Sequence, residues 1–216
     1  CRRTLRNTSR KTICTEVEKL SKYVDYDQYE DLLKERLSKK RFQHSMNVAE
    51  ECFRLAEKFG ADKQRCYLAG MLHDIMKEDL PDRQKQYTVD SGLSPDPAEL
   101  AARALWHGVA GGYYVREILH IDDDEVIRAV RYHTVGCARM SDLEKIVYLG
   151  DMISDERSYK GVEKMREYCY KDLDLAMSVA LIYQISCVCS KCGALPLSTF
   201  EAYNYYLQFN KNKESL

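Results

Sequence analysis

The sequence has almost no net charge. Its 33 Lys and Arg nearly cancel 34 Asp and Glu, leaving −1, so no bulk field favours a nucleic-acid or membrane partner. No apolar run approaches the roughly 20 residues of a membrane helix. The N-terminus, CRRTLRNTSRKT, is basic and polar with no apolar stretch behind it, and does not read as a secretory signal. Because the chain starts at Cys1, residues 1–24 read as a loose lead-in or a remnant of a longer chain, 25–210 as one domain and 211–216 as a tail. Alternating strand patterns, repeats and low-complexity tracts are missing as well. The nine cysteines are an odd number and scattered, with Cys52, Cys66 and Cys169 at apolar positions of helical patterns. That usage points to reduced thiols in the cytoplasm rather than a disulfide framework. Cys187-Val-Cys189-Ser-Lys-Cys192 lacks the second pair that would complete a zinc set. It reads as helix-face packing before a helix end at Gly193.

What is present is helix upon helix. Gln28–Lys39 carries Tyr29, Leu32, Leu33 and Leu37 at helical spacing. Arg41–Phe59 places Phe42, Met46, Ala49, Cys52, Phe53 and Ala56 on one stripe, with Gly60 to stop it. Asp62 caps a helix running through Leu72 into His73-Asp74. Residues 81–97, with three prolines, read as a long surface excursion. Helices follow over 98–106 and, after Gly108, over 113–119. Asp122-Asp-Asp-Glu125 opens another, and Ser141-Asp-Leu-Glu144 is a capping box for the helix that holds Asp151. Two helices fill 162–190 and a last one starts near Ser198-Thr199. The expected fold is all-α, a single compact helical bundle; a homodimer is open.

Within this bundle lie polar residues that a core does not need. His44, His73, His107 and His133 sit in apolar or small-residue helical contexts, whereas His120, beside the acidic Asp122 cluster, is expected to be exposed. Asp74 adjoins His73, and Asp151 interrupts the apolar run Ile146-Val-Tyr-Leu-Gly. A lone histidine on an apolar face is ordinarily a satisfied core residue. Four of them with two interior aspartates, each costly to bury unpaired, are better explained together by a shared metal centre. Imidazole with carboxylate suits iron, manganese or zinc, and the two oxygens of Asp74 could bridge two ions. Such a pair activates water and stabilises charge on a phosphoryl group. Arg41, Lys77 and Arg157 could grip phosphate oxygens. The plainer alternatives are a helix-terminal cation for Lys77, a surface ion pair for Arg157 in Asp155-Glu-Arg, and a helix-end residue for Thr134. Trp106 and the 16 tyrosines could stack on a base, and none is assigned to one.

The order His44, His73-Asp74, Asp151 resembles the H…HD…D signature of HD-domain metal-dependent phosphohydrolases. Arg41-Phe-Gln-His44, Tyr67-Leu-Ala-Gly-Met-Leu-His-Asp74-Ile-Met-Lys-Glu78, Leu105-Trp-His107-Gly, Arg131-Tyr-His133-Thr and Leu143-Glu-Lys-Ile are similar to the YqeK-type symmetrical bis(5′-nucleosyl)-tetraphosphatases over roughly 29–206. That resemblance implies hydrolysis of diadenosine tetraphosphate to two ADP at a di-iron centre. It implies that His44, His73, Asp74 and Asp151 hold one ion and that Asp74 bridges to a second held by His107 and His133. By the same resemblance Asp74, Lys77 and Arg157 serve catalysis, while Arg41, Asp74, His107, His133, Thr134, Arg157, Gly161 and Val162 lie around the nucleotide. Where the family often reads Phe-Pro-Gly-Val, this chain has Ser158-Tyr-Lys-Gly161-Val162, so the loop without its proline is expected to differ in shape. Two other readings are a mononucleotide phosphohydrolase and a domain of a fused enzyme of nucleotide metabolism.

Overall fold

The structure is a computed structural model that describes residues 25–216; the expected lead-in over 1–24 lies outside the described residues. Among these, all regular structure is helical: α1 (Tyr26–Arg36), α2 (Lys39–Phe59), α3 (Lys63–Leu72), α4 (Pro81–Asp90), α5 (Pro97–Ala101), α6 (Trp106–Tyr113), α7 (Asp124–Tyr132), α8 (Asp142–Ile153), α9 (Val162–Cys169), α10 (Leu173–Ser190) and α11 (Leu197–Tyr206). The all-α expectation holds.

Local chemistry sets the boundaries. Asp25 accepts from the Gln28 N–H to start α1, and Leu37 turns extended, so the first helix ends before Lys39. Ser38 then caps α2 by accepting from the Arg41 N–H. Gly60, at φ 74°, closes α2 in the left-handed conformation. Asp62 accepts from the Gln64 and Arg65 N–H groups at the start of α3, and Ser141 with Glu144 forms the capping box of α8.

Three expectations need correction. Residues 81–97 are not one loop: Pro81 stands at the first position of α4, where its missing N–H leaves no gap and its fixed φ favours the helix. Pro97 does the same for α5, helped by Asp96 and Glu99. α4 is anchored by buried Gln84, which donates to the Met76 carbonyl at 2.7 Å. An apolar segment of near-membrane length also exists. α10 has 18 residues with mean hydropathy 1.6, long and apolar enough by length and composition to cross a membrane. Its N-terminal half, Ala176 to Leu181, is buried in the bundle core. Its C-terminal end carries Cys189, and the turn beyond it Cys192, both exposed rather than packed; the cysteine run is not a helix face against the core.

α2 is the central rod, lying against α3 and α8. Close approach on both sides depends on missing side chains. A Cβ on Gly70 of α3 would stand 2.9 Å from the Ala49 Cα and from the Cys52 Sγ, and one on Gly150 of α8 would stand 2.8 Å from that same sulfur. Cys52 is thus clasped between two glycines, one three residues before His73 and the other immediately before Asp151. Gly70→Ala is expected to lose about 1–3 kcal/mol through overpacking against backbone. In Gly150→Ala the obstacle is one sulfur, so Cys52→Ala should restore much of the melting temperature there and little in Gly70→Ala. Equal rescue in both, measured by thermal denaturation, would contradict this packing.

Candidate metal centre

The helix α3 stops at Leu72, one residue before His73, not after Asp74. Residues 73–78 continue as tight turns, with Ile75 N–H on Leu72 O at 3.0 Å and Lys77 N–H on Asp74 O at 2.8 Å. Three-residue turns swing successive side chains further apart than an α-helix does. They nevertheless bring the neighbours to one point, the His73 Nε2 lying 3.4 Å from Asp74 Oδ2. His133 repeats the device at the end of α7. Each of these rings donates Nδ1–H to the carbonyl three residues back, His73 to Gly70 and His133 to Val130, both at 2.7 Å. With Nδ1 protonated, Nε2 carries the lone pair.

The ring nitrogens of four histidines converge in two groups around one carboxylate. His44 on α2 places Nε2 3.3 Å from His73 Nε2 and 3.1 Å from Asp151 Oδ1. His107 on α6 places Nε2 3.2 Å from His133 Nε2. Asp74 faces both groups with different oxygens: Oδ2 lies 3.7 Å from His44 Nε2, whereas Oδ1 lies 3.4 Å from His107 and 3.5 Å from His133. Oδ1 is buried without a hydrogen-bond partner, an expensive condition for a carboxylate oxygen unless a cation meets it. His44, His73 and Asp151, and again His73, Asp74 and His133, lie close enough together to hold an ion. Imidazole nitrogens with carboxylate oxygens form a donor set that fits a divalent cation.

Protonation follows the same geometry. Burial raises the Asp74 carboxyl, but the imidazoles packed around it, His73 first and then His133 and His107, outweigh it and hold it well below the usual range. Asp151 is held low in spite of burial by His44, His73 and Arg157. Burial, then the Lys77 charge, pushes His107 well down, and burial lowers His133. His44 goes the other way. Burial lowers it, yet hydrogen bonds to Asp151 and Glu156 prevail and carry it to about 9.

Cations ring the cluster. Arg41 Nη1 donates to Asp74 Oδ2 at 2.8 Å. Lys77 Nζ lies 3.0 Å from His107 Nε2, too near the centre for a merely solvated helix-end cation. Arg157 donates to the Asp151 carbonyl at 2.7 Å and to its carboxylate, so its partner is not the adjacent Asp155 or Glu156. Thr134 Oγ1 is buried and unpartnered. Arg41, His44 and Arg157 open onto a cleft of about 560 Å³ that also contains Glu78, Glu156 and Tyr159. Gly161, at φ 94°, begins α9, and Leu216 fills the space where its side chain would stand; Val162 is buried beside it. His120 is exposed at φ 53°, and Trp106 donates to the Leu100 carbonyl at 3.0 Å.

The sequence reading missed Glu156, which accepts from the His44 Nδ1–H, and Asn47, which donates to Glu156 at 2.7 Å. Asn47 falls one turn after His44 and was findable; Glu156, inside an Asp-Glu-Arg run, looks like surface. Glu78, the end of the HD segment, fixes the start of α2 by accepting from the Ser38 N–H and hydroxyl at 2.6 and 2.9 Å.

Two outcomes follow. Below pH 9 His44 must shed a proton to present Nε2, so metal uptake should release on the order of one proton from it. Affinity should climb as pH rises toward 9 and level off above. Calorimetry in buffers of different ionisation enthalpy measures this, and proton-neutral binding at pH 7 would contradict it. Asp74→Ala should lose both ions while keeping its helical signal; retention of two equivalents would exclude a bridge.

The comparisons with known proteins agree with this geometry. Residues 41–156 match the HD domain family, whose members bind divalent metals. A symmetrical bis(5′-nucleosyl)-tetraphosphatase of Halalkalibacterium halodurans is 36% identical over 82% of this chain and 94% of that protein. The Bacillus subtilis protein of the same name is 30% identical over 80% and 92%. A Mycoplasma pneumoniae protein named probable nicotinate-nucleotide adenylyltransferase/Ap4A hydrolase is 29% identical over 70% of this chain but only 45% of its own length. A crystal structure described as a predicted HD superfamily hydrolase involved in NAD metabolism, from Clostridium acetobutylicum, superposes with TM-score 0.82 at 32% identity, covering 86% of this chain and 98% of that one. Match, relatives and fold together make the chain a hydrolase of the HD-domain family, a member of the group of symmetrical bis(5′-nucleosyl)-tetraphosphatases.

Proposed function

We propose that the chain cleaves diadenosine tetraphosphate, and related dinucleoside polyphosphates, symmetrically into two ADP at a dinuclear centre. The observation that carries this reading is the divided Asp74 carboxylate, with one oxygen toward His44, His73 and Asp151 and the other toward His107 and His133. The donors include no thiolate, which favours iron, with manganese or zinc as alternatives. A pair of divalent ions held there supplies a nucleophile at neutral pH and neutralises phosphoryl charge. The relatives' names support the substrate class.

The chain's own residues account for the rest. A tetraphosphate bridge carries several negative charges. Arg41 and Arg157 stand on the cleft wall beside His44 and present guanidinium N–H groups that grip phosphate oxygens in a fixed fork. Lys77 approaches the other group, at His107. With cations on both sides, charge building on either phosphate meets a fixed positive group. The Thr134 hydroxyl offers a donor to an oxygen bound near His133, and Gly161 with Val162 sets the course of the loop that carries Arg157. Seven cysteines of the described residues are free thiols, which suits the reducing cytoplasm.

Incubating metal-loaded protein with diadenosine tetraphosphate, ATP and AMP, and resolving products by chromatography, tests the reaction. ADP as sole product from the first substrate is the expected result. Turnover of AMP or ATP alone would instead identify a mononucleotide phosphohydrolase. Arg157→Ala should keep its metal, since guanidinium cannot ligate a cation. Losing one charge-assisted phosphate contact, about 1.5–3 kcal/mol, should lower kcat/KM between about tenfold and somewhat over a hundredfold. Wild-type kcat/KM in that variant would restrict Arg157 to its pairing with Asp151.

A further inference from the structure

We propose that Glu156 is the positioning residue of the His44 ligand, fixing its tautomer and aiming its Nε2 at the metal centre. The inference rests on the metal-centre reading and goes beyond the ligand set to a residue of this chain's own loop.

The buried rings of His73 and His133 are oriented by peptide carbonyls inside the bundle. His44 has a side-chain carboxylate instead. Its Nδ1–H donates to Glu156 Oε1 rather than to a carbonyl of its own helix. The carboxylate is itself held by two more donors, Ser154 Oγ on Oε1 at 2.9 Å and Asn47 Nδ2 on Oε2 at 2.7 Å. Asn47 sits one turn along α2 from His44 and Ser154 ends α8, so Glu156 is tied to the two helices that supply His44 and Asp151. A carboxylate acceptor raises imidazole basicity more than a carbonyl does, and such partners change metal affinity by about 10–100-fold. The loop after α8 therefore serves the centre twice, Arg157 holding Asp151 while Glu156 holds His44.

A ligand role for Glu156 is less economical, because its Oε1 lies against Nδ1, the ring nitrogen facing away from the cluster. The Glu156 side chain is 37% exposed, so its replacement removes little packing.

The test compares wild type, Glu156→Ala and Glu156→Gln by Mn(II) titration, with helical signal and melting temperature as folding controls. Glu156→Ala should bind the ion of the His44 group about 10–100-fold more weakly. Glu156→Gln, whose amide oxygen still accepts from Nδ1–H, should recover much of that loss. In the metal-free protein at alkaline pH, ¹⁵N shifts should report His44 protonated at Nδ1 in wild type and redistributed toward Nε2 in Glu156→Ala. Unchanged affinity, an unchanged tautomer, or a Gln variant as weak as Ala overturns the proposal. If wild type itself takes up no Mn(II), the metal-centre reading fails first and this proposal fails with it.

Discussion

The arrangement depends on one buried carboxylate that faces two sets of imidazole nitrogens. Asp74 is almost wholly enclosed, and its Oδ1 has no donor. In an apolar bundle that is tolerable only beside positive charge. Arg41, Lys77, Arg157 and the raised His44 supply it in this structure. In the proposed reaction the same positive ring would also meet the polyphosphate oxygens, so one electrostatic feature would serve both the folded state and the substrate.

The bundle exists around this point in a literal sense. The histidines at the ends of α3 and α7 use the last free carbonyls of their helices to fix their rings, turning an unsatisfied helix terminus into an orienting bond. His44 and Asp151 come instead from the middle of α2 and the last turn of α8. Those two helices can bring their residues to within 3.1 Å because Gly150 lets α8 settle onto Cys52.

Most of this was legible in the chain. Helical periodicity gave the class, capping residues gave several boundaries, and histidines out of place on apolar faces gave the members of the His/Asp cluster. The proline segment misled because Pro at a helix start and Pro in a loop look alike until the following residues are seen to pack, as Gln84 and Thr88 do. The end of α3 misled because the tight turns after Leu72 keep an apolar rhythm, with Ile75 and Met76 both buried. Glu156 was invisible for a different reason. Its role is defined by a partner on another helix, and local sequence contains no trace of a contact made across the fold. The departed loop likewise shows that Gly161 answers to Leu216 near the chain's end, a relation no spacing rule encodes.

The donors to this centre come from α2, the ends of α3 and α7, α6 and α8, and no two adjacent helices can assemble it. Ion occupancy of the proposed centre would consequently be a property of the complete bundle. Bound ions add their binding free energy to the folded state alone, and a copy that opens any one of those elements loses its hold on them. With the centre loaded as proposed, the supply of free metal would set part of the stability of the folded state.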